Sequence, residues 1–186
     1  VFNGLAVTGD LETLLALATR PEVERIRANH KHQIQNPKSQ PPTLRPGSGQ
    51  ASNFQTVEWN IARVRANEVW RDFDITGEGV VVANMDTGVD WTHPALQSKY
   101  RGWDGDHNYD WYDCTGTYPT APADGYGHGT HTMGIMVGYD TSTGLSTSPN
   151  GSLHIGMAPD AQWIAVKVLD DDGIGYDTWI HAGFQW

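Results

Sequence analysis

Residues 77–90 read GEGVVVANMDTGVD, and this stretch decides the fold class. Residues 80–83 form a short, continuous apolar run, with glycines before and after it. Such a run predicts a strand that is buried on both faces, as the strands of parallel sheets are. The sequence therefore indicates that a parallel sheet begins here.

Helical and strand patterns alternate around this run. Helical periodicity covers residues 58–73 and 130–138, and a further helix begins near residue 176. A second buried strand is predicted within residues 163–173, WIAVKVLDDDG. This succession of strands and helices predicts an α/β fold with a doubly wound, mostly parallel sheet. In such sheets the chemistry gathers at the carboxyl ends of the strands.

Three regions of the chain differ in composition. Residues 1–35 have the pattern of a small α/β unit, which is too short to bury a core of its own and is expected to lean on another part of the protein. Residues 36–55 are rich in proline, glycine, serine and glutamine, which predicts a flexible linker. Residues 56–186 form the α/β body.

The first region has its own local signals. Residues 2–10 have strand character, and an amphipathic helix follows, with Asp10 as its N-cap and Pro21 closing it. Residues 23–34 alternate apolar and polar side chains, which predicts a half-buried strand.

Charge is unevenly distributed along the chain. Residues 1–55 carry 6 basic and 4 acidic side chains, whereas residues 56–186 carry 6 basic and 18 acidic ones. An acidic body argues against nucleic acid as a partner, and it favours docking of the net-basic residues 1–55. No segment approaches the roughly 20 apolar residues of a membrane span, so we expect no membrane partner.

The chain has a single cysteine, Cys114, which excludes an internal disulfide. Its neighbours in YDWYDCTGTYP are acidic, and acidic neighbours disfavour the thiolate. We therefore interpret Cys114 as unreactive.

Asp86 follows the first predicted strand directly. A carboxylate there needs a partner, such as a metal, a cluster of backbone N–H groups or a cationic ring, to offset its desolvation. A turn-forming aspartate is the alternative interpretation. Asp90, four residues further on, is a rival carboxylate that we interpret as a structural turn residue.

The sequence GHGTHTMG, residues 127–134, has two histidines flanked by glycines. The glycines predict a sharp entry into a helix, with His128 in its first turn and His131 one turn further along the same face. Three interpretations arise: a turn with two surface histidines, a metal site, and a catalytic base at a helix N-terminus. The H-x-x-H spacing lacks the glutamate of helical zinc motifs, and His131 alone is expected to be a buried, hydrogen-bonded structural residue.

Three sequences, NMDTGVDWTHP, GHGTHTMG and IGMAPDAQWIAVKVLDDDGIG, carry a family resemblance. In their order and register they resemble the aspartate, histidine and following-strand motifs of the subtilisin-like serine peptidases, the subtilases. The resemblance spans about residues 56–186. Residues 1–35 more loosely resemble the end of the propeptide that precedes such domains.

The resemblance implies roles for five residues. Asp86 would be the aspartate of the catalytic triad, and His128 would be its general base and acid. Residues Gly173, Ile174 and Gly175 match the edge that binds substrate backbone as an added strand. Polypeptide substrates, docking of the protein's own propeptide segment and secretion from the cell are implied as well.

No serine in the sequence matches the nucleophile motif of the family. We therefore expect the chain to be the front part of a longer secreted peptidase, a zymogen, and to be inactive alone. Two other functions remain open. One is a non-catalytic binding module with the same fold, and the other is a metal-dependent hydrolase that uses Asp86, His128 and His131.

No cofactor is implied for the chemistry, but relatives hold a structural calcium ion next to the GMAP segment. The family register would give this site the residues Gln55, Ser148, Asn150, Ser152 and His154. Ala95 stands where many subtilases have an aspartate ligand, and a hard cation needs carboxylate oxygens, which weakens this assignment.

Overall fold

The computed structural model describes residues 4–34, 59–140 and 153–186, so the predicted linker lies outside the described residues. In these ranges the helices and strands are, in chain order, α1 Leu11–Ala18, β1 Lys31–Gln33, α2 Trp59–Val64, α3 Ala66–Phe73, β2 Val81–Asp86, a 3₁₀ helix Gln97–Lys99, β3 Trp111–Asp113, α4 His128–Val137, β4 Tyr139–Asp140, β5 Leu153–His154, β6 Gln162–Lys167, β7 Ile174–Tyr176 and α5 Asp177–Gln185. No described helix has the length and apolar character needed to cross a bilayer.

A parallel sheet organises the body. β6 lies in its centre, with β2 on one side and β3 on the other, both parallel to it. The register sets Asp86 and Asp113, the last residues of β2 and β3, opposite Lys167 at the end of β6. The predicted α/β fold with a mostly parallel sheet is confirmed, and the carboxyl ends of its strands meet at one edge.

Large aromatic and aliphatic side chains fill one core beside this sheet. Trp163 of β6 is fully buried, and its indole N–H donates to the carbonyl oxygen of Leu96 at 2.9 Å, so its polar atom is satisfied. The buried members of the cluster are Val89, Leu96, Tyr100, Trp111, Met133, Val137, Ala161, Trp163 and Ala165. Because α4 contributes Met133 and Val137, the core fixes this helix against the sheet.

The burial of β2 differs from the prediction. Val80 and Val81 are 52% and 39% exposed, whereas Asn84 and Asp86 are buried, so the expectation that residues 80–83 are buried on both faces was wrong. The polar contacts of α4 with β2 fall on Asn84 and Asp86, in the carboxyl-terminal half of the strand. The buried half of β2 is therefore its polar half, which carries Asn84 and Asp86.

The helix predicted over residues 58–73 is two helices. Arg65 separates α2 from α3 with a left-handed backbone, φ 65°, which interrupts the helix although no glycine or proline marks the break. The Arg65 guanidinium donates to the carboxylate of Glu68 one turn later. The indole N–H of Trp70 donates to the carbonyl oxygen of Met157 at 3.0 Å and ties α3 to the body.

The first region keeps its predicted helix and loses most of its predicted strands. Asp10 caps α1, since its Oδ1 accepts a hydrogen bond from the Thr13 N–H at 2.9 Å, as predicted. Residues 4–10 are not a strand, α1 has no buried residue, and within residues 23–34 only β1 is extended, with exposed side chains. β1 pairs with β7 of the body through its backbone, so a pattern of apolar side chains was the wrong indicator.

Candidate active site

Asp86 lies at the carboxyl end of β2, buried at the sheet edge. Its Oδ1 accepts a hydrogen bond from the Thr87 N–H at 2.6 Å, and the Thr132 hydroxyl donates to its Oδ2 at 3.2 Å. These donors offset part of the desolvation of the carboxylate and hold its plane in one orientation.

His128 is the first residue of α4. Gly127 precedes it with φ 92°, a left-handed conformation that glycine adopts readily, and this turn directs the chain into the helix. A Cβ on Gly129 would overlap the carbonyl oxygen of Gly88 and crowd the Cβ of Asp86. Glycine at position 129 therefore lets the start of α4 approach the end of β2.

The imidazole of His128 and the carboxylate of Asp86 are paired. Nδ1 lies 2.8 Å from Oδ1 and 2.9 Å from Oδ2, and the His128 side chain is 26% exposed. A carboxylate accepts hydrogen bonds, so Nδ1 carries the proton in this pair and Nε2 holds the free lone pair. Within the described ranges no group hydrogen-bonds Nε2. The ring is therefore arranged to take a proton at Nε2 while Asp86 stabilises the resulting cation.

Asn84 and Thr132 support this pair, and sequence reasoning missed both. The Asn84 amide donates to the Gly129 carbonyl oxygen and to the Thr132 hydroxyl, each at 3.0 Å. Thr132 in turn contacts Asp86. Asn84 lies two residues before Asp86 and Thr132 four after His128, so the periods of a strand and a helix indicated that each shares a face with a catalytic candidate.

Asp124 is a second supporting residue that sequence reasoning missed. Its Oδ1 accepts hydrogen bonds from the Gly127 N–H and the Thr87 hydroxyl, both at 2.8 Å. Its Oδ2 accepts from the N–H and the hydroxyl of Thr130, at 2.8 and 2.6 Å. Asp124 thus joins the loop after β2 to the first turn of α4, and an acidic residue just before a helix was the available signal.

The two neighbouring candidates lie apart from the pair. Asp90 is exposed, and its Oδ1 accepts from the N–H and hydroxyl of Thr92, which is the structural turn that we predicted. His131 is exposed, so the expectation of a buried structural histidine was wrong. Across residues 4–34, 59–140 and 153–186, no group of three or more His, Cys, Asp and Glu side chains could hold a metal ion.

The predicted substrate edge is occupied by the first region of the chain. β1 runs antiparallel to β7, with His32 opposite Gly175 and Gln33 opposite Ile174. The Ile34 N–H donates to the Gly173 carbonyl oxygen at 2.9 Å. The edge therefore accepts an added strand, and here the added strand comes from the same chain.

Cys114 is half-buried and has no reactive character. Burial, with a smaller contribution from the charge of Asp113, raises the pKa of its thiol to about 12. The prediction named the acidic neighbours, but burial is the larger cause.

Most of the residues that were predicted to bind calcium lie outside the described part of the chain. Gln55, Ser148, Asn150 and Ser152 lie outside the described residues, and His154 is described only as part of β5. The calcium site stays a prediction.

Comparison with known proteins gives a family match over the region that contains this site. A model described as the Subtilase family matches residues 77–186. Bacillopeptidase F of Bacillus subtilis (strain 168) is 36% identical over 192 residues, covering 100% of this chain and 13% of that protein. Subtilisin BL of Lederbergia lenta is 36% identical over 134 residues, covering 71% and 41%, and Subtilisin-like protease 1 of Arthroderma otae is 32% identical over 142 residues, covering 74% and 24%. The chain spans less than half the length of these curated relatives.

Proposed function

The chain belongs to the subtilase family, and we propose that it supplies the aspartate and the histidine of a serine-type endopeptidase. The hydrogen bond between His128 Nδ1 and the Asp86 carboxylate carries this proposal. It leaves Nε2 as the one ring nitrogen that can exchange a proton with a reactant.

The reaction follows from this protonation state. Nε2 of His128 takes the proton of a serine hydroxyl while the serine oxygen attacks the peptide carbonyl carbon. Asp86 stabilises the imidazolium that forms, and the ring then gives its proton to the departing amine. Water repeats the cycle with the acyl-enzyme, again through Nε2, and frees the serine.

No serine of the sequence matches the nucleophile motif of the family, so we place the serine elsewhere in the protein. Ser98 is the only serine in the described residues, and it is exposed in the 3₁₀ helix, with no hydrogen bond to His128. Because the curated relatives are much longer than this chain, we assign the nucleophile and the oxyanion-hole donors to the remainder of a longer peptidase. The chain alone is then inactive.

Labelling with a fluorophosphonate probe, which reacts with activated serines, tests this function. The full-length protein, once its first region has been removed, should be labelled, and His128→Ala should reduce its labelling rate by orders of magnitude, because the serine loses its base. The present chain, purified by itself, should stay unlabelled. Labelling of the isolated chain would contradict our assignment of the nucleophile, and a folded but unlabelled mature protein would contradict the peptidase function.

The first region fits the role of an inhibitory propeptide. β1 occupies the edge on which a substrate strand would pair, so a substrate cannot bind there until β1 leaves. Residues 1–55 are net basic through Lys38 and Arg45 of the predicted linker, and attraction to the acidic body favours keeping this N-terminal part in place. A peptidase that its own N-terminal segment holds inactive suits release outside the cell, so we propose a secreted zymogen.

Ile34→Pro tests the inhibitory role. Proline removes the N–H that donates to Gly173, and the loss of one backbone hydrogen bond, about 1 kcal/mol, corresponds to about a fivefold weaker hold of β1 on the edge. The uncut full-length precursor should therefore react with the fluorophosphonate several-fold faster. Ile34→Val keeps the N–H and should react like the wild type. Equal rates for all three proteins would argue that β1 does not block the site.

A further inference from the structure

The N-terminal segment shows how a peptide lies on the β7 edge. Ile34, at its end, packs near Gly173, and a Cβ on Gly173 would also contact the ring of Tyr126. Tyr126 is two residues before His128, so the docked strand runs from the start of α5 toward the catalytic histidine. If the chain is a peptidase as proposed, β1 marks the path of a substrate.

Asp177 is the residue of the body that contacts both the backbone and a side chain of this strand. Its carboxylate lies 2.6 Å from the Nε2 of His32 and 3.4 Å from the His30 N–H. Its own N–H donates to the His30 carbonyl oxygen at 3.1 Å. The hydrogen bond to His32 lowers the pKa of the Asp177 carboxyl, with partial opposition from burial, so the carboxylate is the form that meets the strand.

Within the described residues, the Asp177 carboxylate makes no cap hydrogen bond at the start of α5, and both of its oxygens face the docked segment. The Thr178 N–H, in the first turn of α5, donates to the side-chain oxygen of Asn29 at 3.1 Å. Both oxygens of Asp177 are therefore available to the docked strand. Side chains alternate along a strand, so His30 and His32 share the face toward Asp177, while Lys31 and Gln33 point to the other face.

We propose that Asp177 determines specificity, selecting substrates with a cationic side chain at the position that His32 occupies. A lysine, arginine or protonated histidine side chain at this position attracts the Asp177 carboxylate, whereas a glutamate or aspartate side chain repels it. In a substrate, this position lies two residues before the residue that takes the place of Ile34, whose N–H donates to the Gly173 carbonyl oxygen.

Quenched fluorescent peptides based on residues 29–40 of this chain test the inference with the full-length mature enzyme. One set has lysine, alanine or glutamate at position 32, and a control set has the same changes at position 33. We expect kcat/KM to fall about threefold from lysine to alanine and about tenfold from lysine to glutamate, the range of a partly exposed ion pair. The preference should shrink at high salt, and the control set should vary little.

Charge reversal separates this inference from the proposed function. Asp177→Asn should remove the preference, and Asp177→Lys should invert it, so that glutamate at position 32 becomes the better substrate. Each comparison is a ratio within one variant, so a general loss of activity does not affect it. Cleavage of all position-32 peptides at equal rates, or a lysine preference that survives in Asp177→Asn, would overturn the role of Asp177 and leave the peptidase intact. Absence of both cleavage and fluorophosphonate labelling would instead remove the proposed function.

Discussion

Asp86→Asn in the full-length protein is expected to lower kcat by about 10⁴-fold, a loss of about 5.4 kcal/mol of transition-state stabilisation. All the groups around the Asp86 carboxylate donate to it: the ring N–H of His128, the N–H of Thr87 and the hydroxyl of Thr132. An asparagine amide has only one oxygen, and its NH₂ group cannot accept from any of the three.

The substitution acts through the proton on the ring. Where the amide NH₂ faces His128, Nδ1 has to become the acceptor, and the proton moves to Nε2. Nε2 then has no lone pair with which to take the serine proton. The fold should change little because the two side chains have nearly the same shape, so the loss should appear in kcat rather than in KM.

Asp90→Asn is the matched control for this experiment. Asp90 is the other carboxylate of the same loop, and it contacts Thr92 rather than His128. We expect its kcat/KM to stay within about twofold of the wild type, since surface substitutions of this kind have small effects. Steady-state kinetics on one peptide substrate measures both variants. A loss below tenfold in Asp86→Asn, or equal losses in the two, would contradict the assignment of Asp86.

The pairing of Asp86 with His128 could be predicted because each residue carries a local signal. A carboxylate at the end of a predicted strand and a histidine between glycines at a helix start are both visible in short windows of sequence. The α/β fold places such residues at one sheet edge, so the order of strands and helices was enough to bring them together. The resemblance to subtilases supplied their roles.

The supporting network could not be predicted because its contacts join distant segments. Asp124 contacts Thr87, 37 positions earlier, and Asn84 contacts Thr132, 48 positions later. Aspartate, asparagine and threonine are common in turns and caps, so the strand and helix periods and the place of Asp124 before a helix are signals too weak to separate these residues from ordinary ones. Only the approach of α4 to β2 gives them partners.

The residues of the first region that pair with β7 could not be predicted, for a different reason. Backbone hydrogen bonds carry it, and side-chain patterns do not report them; the side chains of β1 are exposed. Val80 and Val81 show a second error, since they were predicted to be buried and are exposed. Apolar character alone does not say which half of a strand another element covers. The sequence pattern predicted β2 and β6, but it also predicted strands in the first region that do not form, and it could not predict which strands pair or which residues other elements cover.

Asp171→Ala is expected to destabilise the protein by about 3 kcal/mol. Lys167, at the end of β6, is fully buried, and its ammonium donates to the Asp171 carboxylate at 2.8 Å and to the Thr87 carbonyl oxygen at 2.5 Å. Removing the partner of a buried charge costs about 3–5 kcal/mol. The Asp171 side chain is 36% exposed, so water can reach part of the gap, and we expect the lower end of this range.

The pH dependence of this effect follows from the Asp171 carboxyl. Burial raises its pKa, but hydrogen bonds from Lys167 and Tyr118 and the lysine charge outweigh burial, and the pKa lies below its ordinary value. A lowered pKa in the folded state means that Asp171 contributes its full stability above about pH 4 and loses it as the pH falls through the lowered value. The difference between wild type and Asp171→Ala should therefore be constant near neutrality and shrink only in acid.

Urea unfolding of the full-length protein, with its active site blocked to prevent self-digestion, measures these free energies. Asp172→Ala removes an exposed carboxylate from the next position and should change stability by less than about 0.5 kcal/mol. Combining Asp171→Ala with Lys167→Met should recover much of the loss, because the double variant leaves no charge buried without a partner. Equal stabilities of Asp171→Ala and Asp172→Ala would mean that the Thr87 carbonyl oxygen alone is enough to hold the lysine, and the ion pair would then have no part in fixing the loop that follows Asp86.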